Sequence, residues 1–328
     1  MAQTISYRDA LNQALREEMR RDPDVFVIGE DVAEYGGAYK VTEGLLQEFG
    51  AERVIDTPIS EEAIAGTGIG AAMVGLRPVV EMMTINFALL AMDQIVNHAA
   101  KLRYMSGGQL RISAVIRAAE GAGLQLGAQH SQNLESWFVH IPGLKVVAPA
   151  VPSDAKGLLK SAIRDNNVII FLEHEVLYNS KGEVPEDEEY LVPLGVAEVK
   201  KPGTEVSLIS YSRMLTLCMR AAEQLAGAGI DAEVVDVRTL KPLDTATIAN
   251  SVRKTHKAII VEEDWKSVGM GAEITARILE ETFDYLDAPV MRLALAEVPM
   301  PYSKPLEQLA LPSVDEIVSA ARRITGRG

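Results

Sequence analysis

Short apolar runs alternate with helix-patterned stretches along this chain, and that alternation limits the fold more than any other feature. "DVFVIGED" (24–31), "RPVVEMM" (77–83), "ISAVIRAA" (112–119), "LKVVAPA" (144–150) and "NVIIFLEH" (167–174) lack the polar alternation of a half-solvated strand. Helical patterns lie between them at about 58–75, 86–105 and 153–165, the last with Ser153 and Asp154 after Pro152 as its N-cap. A strand apolar on both faces must be covered on both faces, which in alternation with helices means a parallel sheet clad on two sides. The texture breaks at "NSKGEVPEDEEYLVPLG" (179–195), polar and acidic, and then the alternation restarts. Strands are expected at 204–212, 230–237, 256–264 and 289–295, with helices at 213–229 and 269–283. The expected fold class is therefore α/β, two domains, each a mostly parallel sheet flanked by helices: residues 1–180, a linker at 181–194, and a smaller domain at 195–328. The opening "MAQTISYRDALNQALREEM" reads as an amphipathic helix rather than a targeting signal.

Charge and composition exclude several function classes. The formal net charge is -14, which argues against nucleic acid as a partner and suits either a basic protein partner or plain solubility. No apolar run is long enough to span a membrane. Cys218 is the only cysteine, so no intrachain disulfide can form. A soluble, cytoplasmic protein is expected. Aromatic residues are only 5%, while Ala and Gly abound, a profile suited to helices lying close on a sheet.

Three stretches carry candidate chemistry. In "DTPISEEAIAGTGIGAAMVGLRPVVEM" (56–82), Glu61 and Glu62 open a helix rich in small residues. A first helical turn favours carboxylates for structural reasons, and catalytic use would need burial and a partner. The glycines of "GTGIGA" sit inside the helix rather than at its start, so they fit a dinucleotide fingerprint poorly. Close packing on the sheet and close approach of a flat ligand both explain them. In "GLQLGAQHSQNLESW" (123–137), His130 lies in a loop, as a proton-transfer group or an ordinary surface histidine. His98, His140, His174 and His256 show no metal-ligand spacing, so no zinc site is expected. "KSAIRDNN" (160–167) ends a helix where orphan carbonyls, with Asp165 and Asn167, make either a cation site or a plain helix stop. No Walker A loop, nucleophile elbow or GDG motif is present, so the chain offers a candidate acid and base but no way to hold a diphosphate or Mg²⁺.

Taken together, "ALNQALREEMRRDPDVFVIGEDVAEYGGAYKVTEGL", "DTPISE", "GAQHSQ", "PGLKVVAP", "DAKGLLKSAIRDNN" and "EVPMPYSKPLE" resemble, in family order and over about residues 3–325, the beta subunits of thiamine-diphosphate-dependent 2-oxo acid dehydrogenases. The resemblance implies a pyrimidine-binding domain followed by a transketolase C-terminal-like domain. It also implies an alpha subunit that supplies the diphosphate and Mg²⁺ site, in an alpha2-beta2 heterotetramer. Glu61 then matches the glutamate that hydrogen-bonds a ring nitrogen of the aminopyrimidine and promotes loss of the thiazolium proton. Burial against the cofactor is expected to outweigh the helix terminus and raise its pKa. Met83 and Phe87, in "EMMTINF", match residues lining the aminopyrimidine. His130 matches a histidine near the lipoyl entrance that donates a proton during acyl transfer to a lipoyl-bearing dihydrolipoyl acetyltransferase. Ala114, Ala162, Ile163, Asp165 and Asn167 match potassium ligands, mostly through backbone carbonyls; Ala114 replaces a larger aliphatic residue, which backbone ligation tolerates. Pyruvate is the expected substrate, with branched-chain 2-oxo acids or acetoin as rivals. A nucleotide-binding electron carrier is the alternative from another class.

Overall fold

The structure is a computed structural model that describes residues 2–327. The chain forms two compact units, Met1–Gly121 with Trp137–Leu194, and Ala122–Ser136 with Gly195–Gly328. Each is an α/β unit, as the alternation predicts.

In the first unit the strands are β1 (Ala2–Ser6), β2 (Val25–Gly29), β3 (Val54–Asp56), β4 (Arg77–Thr84), β5 (Val115–Glu120), β6 (Lys145–Val147), β7 (Ile169–His174) and β8 (Lys181–Pro185). The helices are α1 (Tyr7–Arg21), α2 (Leu45–Phe49), α3 (Glu61–Met73), α4 (Leu102–Met105), α5 (Glu135–His140, which begins in the other unit) and α6 (Pro152–Arg164). Six strands pair in the order β6-β7-β5-β4-β2-β3, every pairing parallel. β2, β5 and β7 are buried throughout, as runs apolar on both faces require. One core joins Leu11 and Leu15 of α1, Leu158 and Leu159 of α6, and Val27, Val79, Val115 and Phe171 of the sheet.

Several boundaries differ from expectation. The N-terminal stretch read as one helix splits at Ser6, whose hydroxyl caps α1 by accepting from the Asp9 N–H at 3.1 Å. Ahead of it, β1 pairs antiparallel with β8, so 181–185 is a strand of the first unit and not linker. The 181–194 stretch as a whole stays with the first unit, and loop 122–136 joins the second. α6 starts at Pro152, with Ser153 and Asp154 inside the first turn and no side-chain cap at Val151; a proline tolerates that position because its missing N–H would be unbonded there anyway. The expected helix at 86–105 breaks into a 3₁₀ segment (Ile85–Ala91), a π-turn (Gln94–Ala99) and α4. Ile95, Val96 and Asn97 in the π-turn are weak α-helix formers.

The second unit comprises β9 (Glu198–Lys201), β10 (Val206–Ser210), β11 (Ala232–Asp236), β12 (Thr239–Lys241), β13 (Ala258–Trp265) and β14 (Met291–Leu295), with α7 (Ser212–Gly227), α8 (Thr245–Thr255), α9 (Met270–Thr282), α10 (Lys304–Ala310) and α11 (Val314–Ile324). Its sheet runs β14-β13-β10-β11-β9, parallel except for the edge strand β9. No helix among the described residues is long and apolar enough to cross a membrane.

Candidate active site

Chain order fixes where a ligand can sit in the first unit. From β2 the chain goes to β3 on one side and then to β4 on the other. Such a reversal leaves a crevice at the carboxyl ends of the two central strands. Glu61 opens α3, which follows β3; Met83 lies near the end of β4; Phe87 lies in the 3₁₀ segment that continues it. α3 packs on β4 and on that segment. Glu61 is 6% exposed, while Glu62 points to solvent. Met83 and Phe87 are half-buried. Glu61 is a largely buried residue whose carboxyl makes no hydrogen bond or ion pair among the described residues, so its acceptor oxygens are left unengaged. Burial of that kind asks for a polar partner.

The glycines behind Glu61 have a packing explanation. A Cβ on Gly68 would stand 2.3 Å from Val80 Cγ2 of β4, so that glycine lets α3 lie flat on the sheet. A Cβ on Gly70 would meet nothing within 4 Å. "GTGIGA" lies inside α3 and not at its start, which removes the structural basis for a dinucleotide fingerprint.

The edge also holds an acid that sequence reading passed over. Glu30 directly follows β2, and its carboxyl is raised above the usual range, chiefly by burial and then by the nearby charge of Glu61. Its only sequence signal is its place at a strand end in "GED". Asp56, ending β3, accepts from the N–H groups of Ala33 and Glu34 at 2.7 and 3.2 Å and so holds the loop after β2. Under this edge, fully buried Arg117 grips Glu173 through two hydrogen bonds of 2.7 and 2.6 Å and also pairs with Glu81. Tyr178 donates to Glu173 at 2.7 Å and stacks on Tyr39, which donates to Glu175 at 2.8 Å. The network fastens the β2 loop to the sheet with bidentate, charge-assisted bonds.

The five candidate potassium ligands gather at the opposite, amino-terminal edge, before β5 and β7 and at the end of α6. Their oxygens already have donors. Ala114 O accepts from Ile169 N–H at 2.9 Å, and Ala162 O from Asp165 N–H at 3.2 Å. Arg77 Nη1 donates to the carbonyls of Ile163 and Asp165 at 3.0 and 3.1 Å. Arg103 Nη1 donates to Asn167 Oδ1 at 2.6 Å. Burial raises the Asp165 carboxyl, but hydrogen bonds from Lys145 and Asn167 outweigh it and hold the group below the usual carboxylate range.

His130 belongs to the second unit. Its loop leaves β5 and is exposed at the tip, where the His130 N–H donates to Gly127 O at 3.3 Å. The loop neck is tied to β13. Ala122 N–H donates to Glu263 Oε1 at 2.8 Å, and Asn133 Nδ2 donates to the Glu263 carbonyl. Below it lies a buried acidic group. Tyr211 donates to Glu135 at 2.7 Å, and among the described residues Glu135 Oε2 and Asp264 Oδ2 have no hydrogen-bond partner. Burial, followed by the charge of Asp264, pushes the Glu135 carboxyl well up; burial lifts Asp264 to about 6 and Glu262 to about 7.

Comparison with known proteins agrees with this division. Residues 3–181 match the transketolase pyrimidine-binding domain and residues 195–317 the transketolase C-terminal domain. A solved split-gene transketolase, an inactive beta4 tetramer, superposes with a TM-score of 0.80 over 98% of both chains at 23% identity, which establishes the fold. The chain is 52% identical to the pyruvate dehydrogenase E1 component subunit beta of Rhizobium meliloti (98% of this chain, 70% of that protein). It is 51% identical to the Rickettsia felis subunit (98% of each) and 51% to the mitochondrial subunit of Dictyostelium discoideum (98% and 92%). The fold and site thus define a transketolase-type chain. Within that class the chain belongs to the family of the beta subunits of the pyruvate dehydrogenase E1 component.

Proposed function

We propose that this chain is the beta half of a thiamine-diphosphate-dependent pyruvate dehydrogenase, which decarboxylates pyruvate and reductively acetylates a lipoyl group on a dihydrolipoyl acetyltransferase. An alpha subunit, in an alpha2-beta2 assembly, holds the diphosphate and Mg²⁺, for which this chain carries no motif. The observation that carries the reading is Glu61: a largely buried acid whose carboxyl has no partner among the described residues, at the crevice where the strand order reverses, in a chain about half identical to such subunits. An aminopyrimidine fits it, because a ring nitrogen supplies the missing partner and the sides of Met83 and Phe87 suit a flat ring. Glu61, Met83 and Phe87 would hold the aminopyrimidine of thiamine diphosphate, which when bound would supply the carbon nucleophile for the keto group. Glu61 holds a proton at the ring nitrogen and sets the ring's orientation. Burial, and then the charge of Glu61, raises the Glu30 carboxyl above its usual range at this edge. His130 gives a proton to the lipoyl sulfur released as the dithiolane ring opens. The amino-terminal edge binds K⁺ through the second lone pairs of carbonyls that Arg77 and Ile169 already engage on one side.

Glu61→Gln in the enzyme reconstituted with an alpha subunit should lower decarboxylation by on the order of 10²-fold or more, as loss of a positioned proton-transfer group does. Glu62→Gln, on the solvent side, should change it far less. Equal losses in the two variants would sink the assignment of Glu61. Calorimetry of the isolated chain should show no Mg²⁺-dependent binding of thiamine diphosphate, whereas micromolar affinity without an alpha chain would refute the split site.

A further inference from the structure

Loop 122–136 keeps an unfavourable shape. Gly123, Gln125 and Gly127 all have positive φ, at 119°, 59° and 79°. For Gln125 the left-handed region costs roughly 1–2 kcal/mol, so something outside the loop must hold it. Glu307 of α10 does so. Its carboxylate is 2% exposed, and Oε1 accepts from the N–H groups of both Gly123 and Gln125 at 2.9 and 3.0 Å. Two N–H groups converging on one carboxylate oxygen form a small anion nest, here with both donor residues, Gly123 and Gln125, left-handed. Glu263 ties the neck on both sides at once: its side chain takes Ala122 N–H and its backbone carbonyl takes Asn133. Arg213 balances it, with Nη1 3.3 Å from Glu263 Oε2 and donating to Ala122 O at 2.7 Å. The ring of Tyr302 lies against Gly127, where a Cβ would stand 2.8 Å from Cδ2. These ties lie in the loop neck and at Gly127, on both sides of the residues that carry His130.

We propose that Glu307, with Glu263, is a positioning residue for acyl transfer: the two carboxylates hold the strained loop in the one shape that presents the His130 imidazole. This rests on His130 serving the lipoyl step. A loop freed from Glu307 relaxes Gln125 out of the left-handed region, and the imidazole then samples several positions. Steps that depend on it slow, whereas decarboxylation depends on Glu61 in the other unit.

The test uses the assembled alpha2-beta2 enzyme carrying Glu307→Gln, Glu307→Leu, His130→Ala, or His130→Ala with Glu307→Leu. Acetylation of a free lipoyl domain and reduction of an artificial electron acceptor are measured alongside amide exchange over 122–136. Losing charge-assisted hydrogen bonds to two N–H groups should cost Glu307→Leu about tenfold in lipoyl acetylation. Glu307→Gln, which keeps one acceptor oxygen, should lose less, and the artificial-acceptor rate should fall less than either. Exchange at Gly123 and Gln125 should quicken. In the His130→Ala background Glu307→Leu should bring little further loss, since both act through one step. A full additional loss in that background, or unchanged exchange beside an impaired His130→Ala, overturns the positioning role alone. An unimpaired His130→Ala overturns the reading of His130, and the positioning role with it.

Discussion

The two units share an architecture yet bury acid in opposite ways. In the first, the buried carboxylates of Glu81 and Glu173 share one fully buried guanidinium, Arg117. Burial alone would lower the Arg117 pKa, but the two acids raise it, so the cation stays charged. In the second unit, Glu135, Glu262 and Asp264 crowd together with Arg292 pairing to Glu262, and burial lifts all three. A buried charge must be paired or neutralised. One unit pairs it with a cation; the other neutralises it with protons. The first solution leaves an ion-paired floor beneath the crevice that bears Glu61, where burial still lifts the Glu81 carboxyl against the pull of Arg117. The second makes the seat of the His130 loop sensitive to pH.

The largest expected effect comes from taking the cation out of the first unit. Arg117→Met leaves two buried acids without their cation and should cost about 3–5 kcal/mol. Urea unfolding followed by Trp137, in a Trp265→Phe background, reads this unit, since the chain has one tryptophan in each. A loss under about 1 kcal/mol would mean that Glu81 and Glu173 take up protons as readily as the second unit's acids, and the contrast would collapse.

A smaller effect separates the second unit by pH. Asp264 and Glu262 have folded-state pKa values of about 6 and about 7, above their usual 3.8 and 4.5. The folded form therefore holds protons more tightly than the unfolded one. The stability they lend is complete below about pH 4 and is lost as pH climbs through 6 and 7. Over that range the second unit should lose on the order of 2 kcal/mol, read through Trp265 after Trp137→Phe. Asp264→Asn, neutral at every pH, should flatten the slope. A slope that Asp264→Asn leaves intact would place the titration elsewhere.

The smallest effect belongs to the amino-terminal edge of the first unit. Exchanging K⁺ for a bulky organic cation at equal ionic strength should lower the melting temperature of the assembled enzyme by a few degrees. That corresponds to about 1 kcal/mol in domains of this size. If nothing changes, Arg77 already does at Ile163 and Asp165 what a potassium ion would do.

Much of the fold was legible because parallel strands buried on both faces carry their own signature. The runs at β2, β4, β5, β7, β10, β11, β13 and β14 all became strands. β3 escaped because it is only three residues long, β8, β9 and β12 because they are short and mostly polar, and β1 because its five residues gain order from β8, far away in sequence. The break at 85–105 into 3₁₀, π and α turns was hidden for a similar reason: helical periodicity survives small changes of pitch.

At the site the division is sharper. The residue types and their order marked Glu61 with Glu62, His130 and the turn at Asp165 as candidates, because helix starts, loops and helix ends each leave local marks; the family resemblance chose among them. The shielding that separates Glu61 from Glu62 came only with the sheet, because burial depends on which face of α3 lies on β4. So did the proximity of Glu30 to Glu61, the hold of Arg77 on the carbonyls of Ile163 and Asp165, and the grip of Glu307 on a loop more than 170 residues earlier. Local sequence determines which groups are offered. Only the folded chain, by bringing distant backbone and side chains within a few ångströms, decides which carboxyl loses its water and which gains a partner.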